Sequence, residues 1–312
     1  LGSGYAGTGT VLSLEERLDG EADVTWVSDV DHHLVLHEAH RLIRDPSIRD
    51  RIRFPVSEIK SPATRFVRGH VEDVDVDART VHLADALEIH DSIKEAAKDA
   101  TRAEPAQVVV GGAGLSGIQT AGEIAEFRDR HRAPIEVHLV EGLDNVFPNN
   151  DPVVQAKLTK LLEDAGVNIM TGEFIGEVDE ETVYIGDEEE LDYDVLIWTG
   201  GITGRDCVRD VDLEKDERNH RIHSEGDFQT EDDRVFAIGD CALIEQPGDQ
   251  PAPPTAQAAW QAAEVAGENL ARAVRSQPLK TWTHKDKGTV ISIGDEAVAH
   301  DVKGVPIDTF GG

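Results

Sequence analysis

Two six-residue stretches carry the glycine spacing that cradles the diphosphate of a dinucleotide. Gly112-Ala113-Gly114-Leu115-Ser116-Gly117 follows an apolar run, Gln107–Val110, and opens a helical run, Ile118–Phe127. That context is what the motif requires. Gly112 allows the tight turn, Gly114 lets the backbone approach a pyrophosphate, and Gly117 lets the helix pack close to the sheet. The anion then sits on the helix N-terminus, where unpaired N–H groups and the dipole favour negative charge. The next strand ends in Glu141. A carboxylate there accepts from both ribose hydroxyls of NADH and repels a 2′-phosphate, so NADH is expected over NADPH. Gly2-Ser3-Gly4-Tyr5-Ala6-Gly7 repeats the spacing near the start of the chain and opens a second helix, Thr8–Leu18. Two such motifs imply two dinucleotides, usually FAD on the first and a nicotinamide nucleotide on the second. A third stretch, Arg234–Ile238, reads as an apolar strand ending in Gly239 and Asp240. Its carboxylate is expected to bond a ribityl hydroxyl beside the first motif.

Alternating strands and helices must position these residues. Ala22–Val27, Ile135–Val140, Asn168–Thr171, Val178–Ile185, Asp194–Trp198 and Val290–Ile293 read as strands. His33–Ile43, Val153–Ala165 and Thr255–Val274 read as helices. Phe66–Glu72, Asp75–Val76 and Thr80–Leu83 read as a small antiparallel run, and Ala86–Ala100 as an acidic amphipathic helix. The expected class is α/β with parallel sheets. Two Rossmann-like dinucleotide-binding domains are expected, the NADH domain inserted in the FAD domain. The expected boundaries are 1–104 and 222–279 for FAD, 105–221 for NADH, and 280–312 for a truncated C-terminal segment. Only Leu1 precedes Gly2, the chain stops at Gly312, and no returning strand joins Asp85 to Ala86. Residues are therefore expected to be missing at both ends and near that seam.

Composition limits the partners. With 62 Asp and Glu against 30 Lys and Arg in 312 residues, the formal charge is −32. Such a field repels nucleic acid phosphates, which excludes a nucleic-acid role. Acid spread along the chain, with ten Lys against twenty Arg, reads as adaptation to high salt. Cys207 and Cys241 are the two cysteines; they form no CxxC, so dithiol redox chemistry and a cysteine-rich metal site are not expected. Asp31, His32, His33, His37 and His40 cluster in sequence, but no metal is expected there.

On these motifs the chain resembles the two-dinucleotide-binding flavoproteins of the pyridine nucleotide-disulfide reductase superfamily, and within it the type II NADH dehydrogenases. The resemblance rests on Ala121-Gly122-Glu123 after the second motif, on Val195–Gly201, on Pro254–Gln261 and on Gly288–Ala299. It implies FAD-dependent oxidation of NADH with electron transfer to a quinone of the membrane pool, without proton pumping. It places Thr199, Gly200 and Gly201 beside the nicotinamide, and Ala256 and Gln257 at the flavin. Glu123 is expected near nicotinamide and flavin, positioning the ring or relaying protons. Gln257 and Gln261, at i, i+4 on one helical face, are expected to bond the quinone carbonyls. Ser28 stands where the family usually carries the acid for the FAD ribose, and Asp29 beside it is expected to substitute. Gln119 stands where many members carry Glu.

The family's membrane-docking C-terminal helices do not follow Gly312. Peripheral attachment to the cytoplasmic face of the cell membrane is thus expected through a missing part, with homodimerisation open. The alternatives are a sulfide:quinone or ferredoxin-type reductase of the same fold, or a low-turnover flavin-containing NADH sensor.

Overall fold

The computed structural model describes residues 1–18, 20–28, 30–69, 86–179, 181–186, 189–204, 209, 211–248, 250–302 and 308–311. Six α-helices are described: α1 (Tyr5–Leu18), α2 (Val56–Ile59), α3 (Ala86–Asp99), α4 (Leu115–His131), α5 (Pro152–Asp164) and α6 (Ala256–Val274). The chain divides into two compact units. The first comprises Leu1–His37, Asp50–Leu83 and Ile202–Asp286; the second comprises Glu38–Arg49, Ala84–Gly201 and Lys287–Gly312. The described residues 202–204 and 211–221, which the sequence reading places at the end of the NADH stretch, pack in the first unit.

In the first unit, β1 (Thr25–Ser28) pairs in parallel with β4 (Arg65–Arg68), and the Gly2 N–H donates to Val27 O at 2.8 Å. The start of the chain therefore lies alongside β1, and the first glycine motif lies where β1 ends. β2 (His32–Leu34) and β3 (Arg53–Pro55) pair antiparallel, and β12 (Ile222–Ser224) and β13 (Ala242–Ile244) pair in parallel.

Helices α1 and α6 approach closely because small residues face each other. A Cβ on Gly267 would lie 2.5 Å from Ser13 Cβ, and one on Gly9 would lie 2.8 Å from Ala263 Cβ. Ser13 Oγ donates to Glu264 O at 2.6 Å. Gly267→Val is expected to force the helices apart and cost about 1–3 kcal/mol, read as a fall in the unfolding midpoint. Thr255 caps α6 by accepting from the Ala258 N–H at 3.1 Å, as an N-terminal threonine should.

The second unit holds a four-stranded parallel sheet in the order β11 (Val195–Trp198), β5 (Ala106–Gly111), β6 (Ile135–Glu141), β7 (Val167–Thr171). Val108, Val109 and Val110 of β5 are fully buried, which is the pattern of a central parallel strand. Ile118, Ile124, Leu158 and Leu162 cover the sheet from α4 and α5. Two antiparallel three-stranded sheets complete the unit: β8 (Ile175–Val178), β9 (Thr182–Ile185) and β10 (Glu189–Asp192), and β14 (Thr289–Ile293), β15 (Glu296–His300) and β16 (Asp308–Gly311).

Three sequence expectations are corrected. The stretch 33–43 is no α-helix: His33 lies in β2, and Leu36–Leu42 is a 3₁₀ helix. Pairing with β3 takes the residues that a helix would have used. Val178–Ile185 is not one strand, because Asp179 accepts from the Glu181 and Thr182 N–H groups at 2.9 and 2.8 Å and turns the chain. Arg234–Ile238 forms no ladder; its one bridge joins Phe236 to Gln229. The expected strands Asp75–Val76 and Thr80–Leu83, and the seam at Asp85, lie outside the described residues.

Candidate active site

The two glycine loops have the same local construction. Gly2 and Gly112 both have positive φ, +83° and +97°, a conformation that favours glycine. A Cβ on Gly7 would lie 2.1 Å from Gly2 O, and one on Gly117 would lie 1.8 Å from Gly112 O. The third glycine of each motif is therefore a steric requirement of the turn. A Cβ on Gly4 or Gly114 would meet nothing within 4 Å, so open space faces each middle glycine. Thr8 N donates to Gly4 O and Ile118 N to Gly114 O, both at 3.0 Å. The helices thus begin at equivalent places, with their first N–H groups at the loop.

Side chains pin the first loop. Trp26 Nε1 donates to Gly2 O at 2.8 Å, and Thr8 Oγ1 donates to Ser3 O at 2.9 Å. Buried Ser28, at the end of β1, lies 3.0 Å from Ser3 Oγ. The ribose acid expected at Asp29 lies outside the described residues. Gly239 touches the same loop: at φ +74°, its Cβ would lie 2.9 Å from Ala6 Cβ in the first turn of α1. The 3₁₀ turn Gly239–Cys241 therefore brings Asp240 beside the first motif.

The second loop is held from below and from the side. Thr199 Oγ1 lies 2.9 Å from both Gly111 O and Gly112 O, and a Cβ on Gly112 would lie 2.9 Å from Gly200 Cα. Gly201 has φ +87° and open space around it. Trp198, 60% exposed, lays its ring against Gly111 and Gly200 and donates from Nε1 to Gly200 O at 3.0 Å. Glu141 accepts from Ala113 N at 2.8 Å and from Leu143 N at 3.0 Å. Its carboxylate is thereby fixed at the mouth of the loop, with lone pairs left for ribose hydroxyls.

Both loops fit a dinucleotide on this geometry: a close-approach glycine facing open space, a glycine that admits no Cβ, and a helix start. Gly2, Gly4, Gly7 and Asp240 would hold FAD, with Gly239 shaping the turn. Gly112, Gly114, Gly117 and Glu141 would hold NADH.

The residues expected to touch the reacting rings lie differently. Glu123 is 1% exposed, and its Oε2 lies 3.1 Å from Arg44 Nε. That contact is misaligned for a hydrogen bond, so both atoms are buried without hydrogen-bond partners. Burial raises the carboxyl to about 7, against the pull of Arg44 and Arg41. Arg44 also reaches Asp295 at 2.6 Å, and Asp295 reaches Arg130 at 3.0 Å. Glu123 thus belongs to a buried charge network with Arg44, Asp295 and Arg130. Arg44 had no signal in the sequence, since it is 79 residues away from its partner.

Gln261 Nε2 donates to Lys285 O at 2.9 Å and its Oε1 accepts from Lys285 N at 3.2 Å. That amide is already committed to the backbone, and its Nε2 also lies 3.3 Å from Gln257 Oε1. Ala256 and Gln257 open α6. Gln119 Nε2 donates to Ser292 Oγ at 3.1 Å. His33 Nδ1 lies 2.8 Å from Ser3 O, His37 stacks on Tyr5, and His40 Nε2 lies 3.0 Å from Ser292 Oγ. Cys241 is a half-buried thiol whose Sγ lies 3.3 Å from Ile238 O, and Cys207 lies outside the described residues.

Similarity to known proteins agrees with this construction. A type II NADH:quinone oxidoreductase of Staphylococcus saprophyticus is 26% identical, over 98% of this chain and 88% of its own. That alignment spans 365 positions, more than this chain has, so the relative carries internal residues with no counterpart here. A type II NADH:quinone oxidoreductase of Staphylococcus aureus is 24% identical over 98% of this chain and 90% of its own. In fold, the chain superposes on NDH2 from Plasmodium falciparum in complex with NADH with a TM-score of 0.80 at 16% identity, covering 100% of this chain and 90% of that one. A sulfide:quinone oxidoreductase from Aquifex aeolicus gives 0.75 at 14% identity, covering 100% and 86%. The sequence pattern of the pyridine nucleotide-disulphide oxidoreductase family matches residues 83–263, more than half the chain, and the protein belongs to that family.

Proposed function

We propose that the protein is an FAD-dependent NADH dehydrogenase that passes electrons to a quinone without pumping protons. The observation that carries this reading is the pair of equivalent glycine loops, each opening a helix and each shaped by a glycine that tolerates no Cβ. The sequence similarity to type II NADH:quinone oxidoreductases over nearly the whole chain supports quinone as the acceptor. When bound, FAD accepts hydride from NADH and delivers electrons onward.

The chain's own residues bind and orient. The start of α4 and the open face of Gly114 take the NADH diphosphate. Glu141 receives the ribose hydroxyls and rejects a 2′-phosphate. Thr199 braces the loop from the neighbouring strand, and Trp198 offers an exposed apolar face at the same sheet edge. Gln257 is retained as a quinone-carbonyl donor, with Gln261 as its neighbour in the helix rather than a second donor. Glu123 is retained, from within its buried charge network, as the residue that positions the nicotinamide ring or relays a proton.

The purified protein is expected to be yellow, to bleach with NADH under anaerobic conditions, and to recolour when quinone is added. A colourless protein, or one bleached only by NADPH, refutes the reading. Sulfide-driven quinone reduction would move it to the sulfide:quinone branch. Glu141→Ala removes charge-assisted bonding worth about 1.5–3 kcal/mol in total. It should weaken NADH binding roughly tenfold to a hundredfold and narrow the preference over NADPH. A nucleotide titration measures both.

Among the described residues no helix is long and apolar enough to cross a membrane. Peripheral attachment at the cytoplasmic face and a homodimer are part of this proposal, as is a salt-adapted surface. On the last point, unfolding midpoints should rise with KCl concentration, because screening relieves the repulsion of a −32 chain.

A further inference from the structure

Arg221 is an expensive residue where it stands. It is 6% exposed and lies just before β12 in the first unit. Its Nε donates to Asp240 O at 2.8 Å, and its Nη2 donates to Ala242 O at 2.5 Å. Among the described residues it makes no ion pair. Burial lowers its pKa against the pull of the nearby Asp240 and Asp216 carboxylates, and a buried guanidinium whose hydrogen bonds go to neutral carbonyls bears a desolvation cost of several kcal/mol.

What the guanidinium does hold is one short turn. The carbonyls it grips belong to Asp240 and Ala242, which bracket Cys241. Gly239, at the start of that turn, packs against Ala6 in the first turn of α1. The arginine fork therefore fixes the conformation of the one segment that presents Asp240 to the first glycine loop. Two donors in a rigid plane fix an angle as well as a distance, which a lysine does not do. The charge also stands beside a site that, on the reading above, receives a doubly negative diphosphate.

We infer that Arg221 is a positioning residue for FAD: it locks the Gly239–Cys241 turn so that Asp240 meets the cofactor, and it supplies buried positive charge to that site. This inference rests on the proposed FAD reading.

The test uses the full chain stripped of flavin, with FAD titrated back and followed by quenching of flavin fluorescence. Arg221→Met and Arg221→Lys are compared with the wild type at one salt concentration, together with the unfolding midpoint of each flavin-free protein. Arg221→Met is expected to weaken FAD at least tenfold while its flavin-free midpoint stays within a few degrees of wild type. Arg221→Lys, which keeps the charge but not the fork, should fall between. A purely structural role predicts the opposite pattern, a lowered midpoint with unchanged FAD affinity in the folded protein, and overturns the inference. Loss of folding in both variants also overturns it, since the residue would then serve the fold. A wild type that takes up no FAD refutes the underlying FAD reading instead, and that outcome is visible before any variant is made.

Discussion

Gly117→Ala is expected to leave flavin bound and to stop NADH from reducing it, whereas Gly7→Ala is expected to give a protein that no longer retains flavin. The added methyl would lie 1.8 Å from Gly112 O in the first case and 2.1 Å from Gly2 O in the second. In each, the nearest atom is a backbone carbonyl oxygen, which cannot swing aside as the end of a side chain can. The helix start must retreat from the turn by about an ångström, and a displacement of that size at a binding loop costs on the order of a hundredfold. The two effects should separate because each loop belongs to its own unit, with its own core. Flavin absorbance of the purified protein reads the first motif, and anaerobic NADH titration reads the second. Flavin lost from Gly117→Ala and retained in Gly7→Ala would reverse the assignment of the two nucleotides. Alanine at Gly4 or Gly114 is the control: with nothing within 4 Å, the free protein should fold normally and suffer only in nucleotide affinity.

The second large effect concerns the buried charges around Glu123. Arg44→Ala strands a carboxylate that is 1% exposed and leaves Asp295 with Arg130 as its remaining partner. Breaking one partner of a buried pair costs about 3–5 kcal/mol, and that full cost is expected at pH 8. The sign with pH follows from where the proton sits. Folded Glu123 keeps its proton up to about pH 7, and the ordinary value for the unfolded chain is 4.5. Stability therefore rises as pH falls from about 7 toward 4.5, by up to about 3 kcal/mol from this group, and is unaffected by it outside that window.

Two histidines act the other way in part of the same range. Burial lowers the values of His138 and His284, so the unfolded chain takes their protons first and stability falls below about pH 6.5. The difference between wild type and Glu123→Gln isolates the carboxyl. Denaturant unfolding at pH 5, 6, 7 and 8 at constant KCl should show that difference growing with pH, with Arg44→Ala least harmful at pH 5. A Glu123→Gln curve parallel to wild type would mean that the carboxyl is not the buried acid described here.

Legibility in the sequence followed the range of the interaction. The glycine turns, the strands before and after the second motif, and the position of Glu141 were all readable, because each is encoded within a few residues. A tight turn, a missing Cβ and a strand end leave local marks. The strand expected at Arg234–Ile238 had the right composition, but composition does not supply a pairing partner, and only the bridge at Phe236 forms. The helix expected over 33–43 failed for the converse reason: pairing of His32–Leu34 with Arg53–Pro55 outweighed local propensity.

By itself, then, the sequence determined the α/β class, the two glycine loops and the carboxylate of Glu141 at the strand end beside the second of them. Each of these is a short-range device whose spacing is its mechanism. The tertiary structure decided the surroundings of the other polar residues. It committed Gln261 to the backbone of Lys285, buried Glu123 against Arg44, and set Arg221 under the carbonyl of Asp240. A glutamate, a glutamine or an arginine carries the same chemistry wherever it occurs in a chain. What it does is set by the groups brought against it across tens of residues, and by how much water folding leaves around it.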